Sequence, residues 1–232
     1  MYDRFTIFCD KNELEKFSGA ELPVDEFQSY NACPTQPLPV VTSARPKMIQ
    51  FFHWGLTQQM ANNKSISPRL FNLTRESALS RPAYKKSLQI SRCVILANGF
   101  YMWKQVSKKQ KVPYFCHFPH HVPFGIAGIY EEFEDLEEKL SHTFNMITVS
   151  AGPKLSAYQE DMPAILTKEQ CEKWLDETAE DAELVSILDD ITDTRLSMHS
   201  VSPRISDPAN NDEGLIKPST PSDQFGNYTL FS

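Results

Sequence analysis

Apolar and polar positions alternate in short blocks along the 232 residues, with polar turns between them. Arg4 to Cys9 reads as a strand, and Asp10-Lys11-Asn12-Glu13 then fits a capping box. Leu14 and Phe17 give a short helix its apolar stripe, which stops at Ser18-Gly19. Residues 29–46 carry four prolines and are expected to be irregular or edge structure apart from Val40-Val41. Met48 to Trp54 reads as a buried strand closed by Gly55. Pro82 suits a first helical turn after Ser80, so Ala83 to Ile90 is a predicted helix.

Strands follow at short intervals: Cys93 to Ala97, Phe100 to Trp103, Pro113 to Phe118 and Phe124 to Tyr130. Lys104 to Lys111 reads as a hairpin loop and Glu131 to Lys139 as an acidic one. His142 to Ser150 is a further strand, broken by Ala151-Gly152-Pro153. A second capping box, Thr167-Lys168-Glu169-Gln170, opens a helix through Trp174 and Leu175, and Ala182 to Leu188 is also helical. From Ser202 the tail is rich in Pro, Ser, Asp and Asn and is expected to lie extended over the surface or to fray. The pattern predicts one α+β domain over residues 1–218, an antiparallel, barrel-like sheet with peripheral helices, and a C-terminal tail at 219–232.

Composition sharpens this picture in two ways. The 41% apolar fraction excludes a disordered or collagen-like chain, and no apolar run approaches the roughly 18 residues of a membrane span. The N-terminal MYDRFTIFCDKNELEKF is too charged for a signal peptide, and five widely spaced cysteines without a CxxC read as reduced, mostly buried thiols. A cytoplasmic protein is expected. The net charge of −7 argues against nucleic acid until it is divided along the chain. Residues 45–111 hold thirteen Lys and Arg against Glu76 alone, a net +12, whereas residues 121–232 carry −15. Such asymmetry suits a polyanionic ligand met by one face, or else pairing of the two halves across the fold.

Catalytic signals from spacing alone are weak. His117, His120 and His121 form an HxxHH cluster, but HFPHHVPF is interrupted by proline and reads as a surface loop rather than a metal site. No GxSxG, HExxH or Walker-type loop is present, so no metal and no cofactor is expected.

An ordered set of segments resembles a known family. YNACPTQPLPVV (30–41), HWGL (53–56), FNLTRESALSRPAY (71–84), RCVILANGFYMW (92–103), FGIAGIY (124–130), TFNMITVSA (143–151), MPAIL (162–166) and KWL (173–175) occur in the order seen in SRAP-domain proteins, the SOS-response-associated peptidases. The resemblance covers roughly residues 1–218. It implies a single-domain SRAP fold and chemistry on abasic sites in single-stranded DNA. In that chemistry the amine and thiol of a cysteine at position 2 condense with the sugar aldehyde to a thiazolidine. A glutamate in a GFYEW motif and a histidine in an HxRMP motif handle the protons. An asparagine and an arginine of an NARxET motif, with the arginine of HxRMP, hold sugar and phosphate.

This chain departs from that pattern at most of those positions. The cysteine position is Tyr2, which has no thiol. The glutamate position is Met102, which carries no proton and is expected to fill the vacated pocket; the histidine position is Gln159. The two arginine positions are Thr74 and Asp161, and the family's Pro-Ser-Trp wedge has become Gln58-Gln59-Met60. Asn31, Pro34, Asn72, Gly99 and Trp103 survive, either as scaffold or as retained function. Asn31, Trp54, Asn72, Thr74 and Arg75 are therefore the candidate DNA-binding residues, and Trp54, Phe100 and Tyr101 the candidate stacking platforms.

Three readings follow: a working cross-linker, a non-covalent single-strand binder, or a pseudoenzyme serving protein contacts or another ligand with no DNA binding. The first requires side chains that Tyr2, Met102 and Gln159 do not supply. The expectation is a catalytically silent member with single-stranded DNA as a non-covalent partner and no membrane partner.

Overall fold

A computed structural model describes residues 3–55, 71–134, 140–190 and 195–227. In chain order the elements begin with β1 (Phe5–Ile7), α1 (Lys11–Ser18), β2 (Ser29–Ala32), β3 (Pro37–Thr42), β4 (Arg45–Trp54) and β5 (Asn72–Thr74). Next come α2 (Arg75–Ser80), α3 (Pro82–Ile90), β6 (Arg92–Ala97), β7 (Gly99–Gln105), β8 (Lys111–His117), β9 (Phe124–Glu134) and β10 (Leu140–Ser150). The described chain then runs through β11 (Asp161–Pro163), β12 (Ile165–Leu166), α4 (Lys168–Leu175), α5 (Asp181–Asp189) and β13 (Ser197–Ser200).

Five strands close into a barrel in the order β10-β4-β3-β6-β9 and back to β10, with β5, β11 and β12 attached to its rim. A second sheet, β13-β8-β7-β1-β2, packs beside it. The expected α+β, barrel-like architecture holds, with one correction. The ring is not wholly antiparallel, because β10 pairs parallel with both β4 and β5. That seam lays Trp54 against Phe144, the two rings stacked at 6.3 Å, and buries both completely.

The second capping box forms as the sequence predicts, and of the first the Asp10 cap forms. The Asp10 carboxylate accepts from the Glu13 amide at 2.8 Å, and Thr167 and Gln170 cap each other reciprocally. Residues 29–46 correct the expectation of irregular structure, since they contribute β2, β3 and the start of β4. Prolines are tolerated because β6 pairs with β3 only from Val40 onward. Pro37 and Pro39 precede that stretch and leave no ladder donor missing. The acidic segment also differs, as Glu131 to Glu134 prolong β9 against Leu140 to Thr143 of β10. Residues 135–139 lie outside the described residues.

The tail from Ser202 crosses the surface as expected but does not fray, at least as far as Asn227. Ile205, Leu215 and Asp223 are fully buried. Asn31 on β2 anchors it, donating its side-chain amide to the carbonyls of Asp207 and Asn210 at 3.0 and 2.9 Å. The Asn211 side chain accepts in return from the amides of Tyr30 and Asn31.

Candidate functional site

Three of the surviving and altered motif residues, Asn72, Thr74 and Asp161, meet in one cleft beside β5, β10 and β11. Strand periodicity explains its floor. Leu73, Ile147, Val149 and Met162 turn into the core, each less than a tenth exposed. Asn72, Thr74, Thr148 and Asp161 line the opposite face, and Ser77, Arg81 and Tyr84 from α2 and α3 wall it, enclosing about 390 Å³. Asp161 also borders an adjoining cleft of about 310 Å³, shared with Trp103, Gln105, Lys111, Tyr158, Gln159 and Glu160. Lys104 sits 5.1 Å above the Tyr158 ring.

Each candidate has a definite local role. Thr74 is the N-cap of α2: its hydroxyl oxygen accepts from the Ser77 amide at 3.2 Å and the hydroxyl lies 3.2 Å from Ser77 Oγ. Arg75 points to the acidic half instead, pairing with Asp189 at 2.6 Å. Met102 is fully buried in the main apolar cluster, as the vacated-pocket expectation requires. Gln159 has a buried side-chain nitrogen without a hydrogen-bond partner. Asn31 is 1% exposed and spends its amide on the tail. Gly99 survives for packing reasons, because a Cβ there would stand 2.3 Å from the Phe115 ring. Tyr2, Gln58, Gln59 and Met60 lie outside the described residues.

The stacking platforms are placed otherwise than expected. Trp54 and Phe100 are wholly buried and Tyr101 is 1% exposed. Trp54 donates its indole N–H to the Phe71 carbonyl at 3.0 Å, and Tyr101 its hydroxyl to the Tyr30 carbonyl at 2.7 Å. No base can stack on these rings as they stand. Tyr84, Tyr158 and the half-buried Trp103, which line the two clefts, are aromatics within a ligand's reach.

A family profile described as "SOS response associated peptidase (SRAP)" matches residues 1–208. The chain belongs to the SRAP family. It is 29% identical over 222 residues to the abasic site processing protein YoqW of Bacillus subtilis (strain 168), covering 94% of this chain and 99% of the relative. It is 31% identical over 179 residues to YobE of the same organism, covering 75% and 82%. Among solved structures, a protein from Bacteroides thetaiotaomicron superposes with a TM-score of 0.80 at 22% identity, covering 93% of this chain and 99% of that one.

The basic segment of this SRAP chain divides in space. Lys64 and Arg69 lie outside the described residues. Arg75 and Lys85 pair with Asp189 and Asp181 of α5. Arg92 is buried and donates to the carbonyls of Trp174 and Asp176. Lys47 borders a different cleft, near Glu172 and Glu177. Arg81 and Lys111 line the two adjoining clefts, and Lys104 lies over Tyr158 of the second. Part of the basic segment thus pairs with the acidic half, and Arg81, Lys104 and Lys111 stand beside the two clefts.

No thiol replaces the one absent at position 2. All five cysteines are free and buried. Burial pushes the Cys33 thiol up to about 11 and Cys9 and Cys171 to about 12, leaving each protonated at neutral pH.

The sequence's histidine cluster gains a member. The His117 and His121 rings lie 4.2 Å apart between centroids, tilted by 32°, and His199 from β13 meets His117 edge-on at 5.6 Å. Among the described residues no group of three or more ligating side chains is placed to hold a metal. Burial lowers the pKa of His117 and His121, and the neighbouring histidines add to it. The unfolded chain therefore binds more protons, and stability is lost as pH falls through the ordinary histidine value of about 6.5 towards the lower folded values. Denaturant midpoints followed from pH 7.5 to pH 5 are expected to fall, and His117→Phe to flatten that slope. An unchanged slope in the variant would remove the cluster as its cause.

Proposed function

We propose that this SRAP protein acts in handling damaged DNA by holding single-stranded DNA without bonding to it covalently. Met102 carries the reading. A fully buried thioether stands at the position of the family's glutamate, and it can neither accept nor donate a proton. Gln159 and Tyr2, at the histidine and cysteine positions, remove the other proton carrier and the nucleophile. Non-covalent binding is supported by Arg81, Lys104 and Lys111 along the two adjoining clefts and by Tyr84 and Tyr158 beside them. The names of its relatives point to DNA containing abasic sites as the ligand class.

Fluorescence anisotropy with a short single-stranded oligonucleotide tests the binding. If Arg81, Lys104 and Lys111 each meet one phosphate, affinity falls about 20-fold between 50 and 200 mM salt. Arg81→Ala reduces both the affinity and the salt slope. A flat salt response, or no binding at low salt, overturns this reading.

A second reading has its own observation. Asp161 stands in the cleft where the family has an arginine, and Arg75 and Lys85 are matched by α5 carboxylates. If DNA binding is absent, the protein is a pseudoenzyme whose clefts serve protein contacts.

A further inference from the structure

We infer that residues 222–227 clamp the basic β7–β8 hairpin, and that Gln224 positions Lys111 for a phosphate of single-stranded DNA at the second cleft. This rests on the DNA-binding reading and adds to it a segment beyond residue 208, where the family match ends.

The loop between Gln105 and Lys111 carries Lys108 and Lys109 at its tip, and all three lysines are exposed. Among the described residues no ion pair engages any of them. Like charges this close in sequence repel one another, and a short exposed loop has little apolar burial to fix it. Within the loop, the amides of Val106 and Ser107 donate to the Gln110 carbonyl at 3.0 and 3.3 Å.

The tail supplies the rest of the fixing. Asp223 is fully buried, and its carboxylate closes a turn by accepting from the amides of Phe225 and Asn227 at 3.0 and 2.8 Å. The same carboxylate accepts from Gln110 Nε2 at 2.7 Å. Gln224 grips the next stretch of hairpin. Its Oε1 accepts from the Lys111 amide at 2.7 Å, and its Nε2 donates to the Lys109 carbonyl at 2.6 Å. Its own amide donates to the Lys111 carbonyl at 3.1 Å.

The tail thus holds both lysines by their peptide groups rather than by their ammoniums. Lys111 lines the second cleft with Trp103, Tyr158 and Gln159, and its charge stays available to a polyanion. A cation whose backbone is fixed before the ligand arrives has less freedom to lose on binding. Gln224 itself touches no ligand in this account; it is a positioning residue.

Fluorescence anisotropy with a single-stranded oligothymidine compares the full native chain with Gln224→Ala, Lys111→Ala and the double variant. Gln224→Ala removes both side-chain bonds to the hairpin. It is expected to weaken binding about five-fold at low salt and to lower the salt slope by up to about 0.7, the share of one single-strand phosphate. In the Lys111→Ala background the same substitution is expected to cost less than about two-fold, because the residue it positions has gone. Native affinity in Gln224→Ala, or equal costs in the two backgrounds, overturns this inference and leaves DNA binding intact. If the native chain binds no strand at low salt, both fall.

Discussion

Replacing Arg92 with methionine is expected to lower stability by about 3–5 kcal/mol, a fall in the thermal midpoint on the order of 10 °C. Arg92 opens β6 at 1% exposure. Its guanidinium donates to Trp174 and Asp176 oxygens, both at 2.6 Å, to Gln89 oxygen at 3.0 Å and to Leu88 oxygen. Those carbonyls close the C-terminal turns of α3 and α4, where a helix leaves its acceptors unpaired and welcomes positive charge. One planar fork thus fastens two helices to the barrel. Methionine would fill the volume and leave buried acceptors without donors. Lysine is expected to recover only part of the loss, because a point charge cannot span four acceptors. Urea titration of Arg92→Met and Arg92→Lys checks this, and a loss under about 1 kcal/mol in the methionine variant would contradict it.

The second large effect concerns restoring the family's motif residues. Met102→Glu puts a carboxylate where the native side chain is fully buried. Burying a polar group without compensation costs roughly 2–7 kcal/mol, and the group resists ionisation. Thr74→Arg removes the α2 cap and costs about 1 kcal/mol more. A chain carrying Tyr2→Cys, Thr74→Arg, Met102→Glu and Gln159→His is therefore expected to lose most of its stability before it regains a site. Met102→Leu, which conserves volume, is expected to stay within about 1.5 kcal/mol of the native chain. If Met102→Glu unfolds at the same urea concentration as Met102→Leu, the pocket is open rather than filled.

These two positions also show what was legible in the sequence. Arg92 counts towards the +12 of the basic segment, yet it works as a staple, because two of its partners, the Trp174 and Asp176 carbonyls, lie more than eighty residues away at the end of a helix the charge count ignores. Asn31 is similar: its motif context suggested a ligand, and its partners are carbonyls of a tail some 175 residues later. The Asp10 cap and the Thr167–Gln170 capping box were readable because each is local and closes within three residues. The very short β5, β11, β12 and β13 carry no periodicity of their own and exist through pairing with longer strands. Trp54 looked available for stacking because sequence does not reveal the parallel β4–β10 seam that covers it. The departures from the family's motifs at Met102 and Gln159 needed no structure. What the structure adds is that Thr74 has a second occupation as a cap and that Asp161 lines both adjoining clefts.

The most direct measurement is a denaturing gel of the unaltered protein after incubation with single-stranded DNA carrying an abasic site. With Tyr2, Met102 and Gln159 in place, the expected result is free protein and free DNA, with no band that survives denaturation. A denaturation-resistant adduct that disappears when position 2 is changed would contradict the proposal that this site no longer forms covalent bonds.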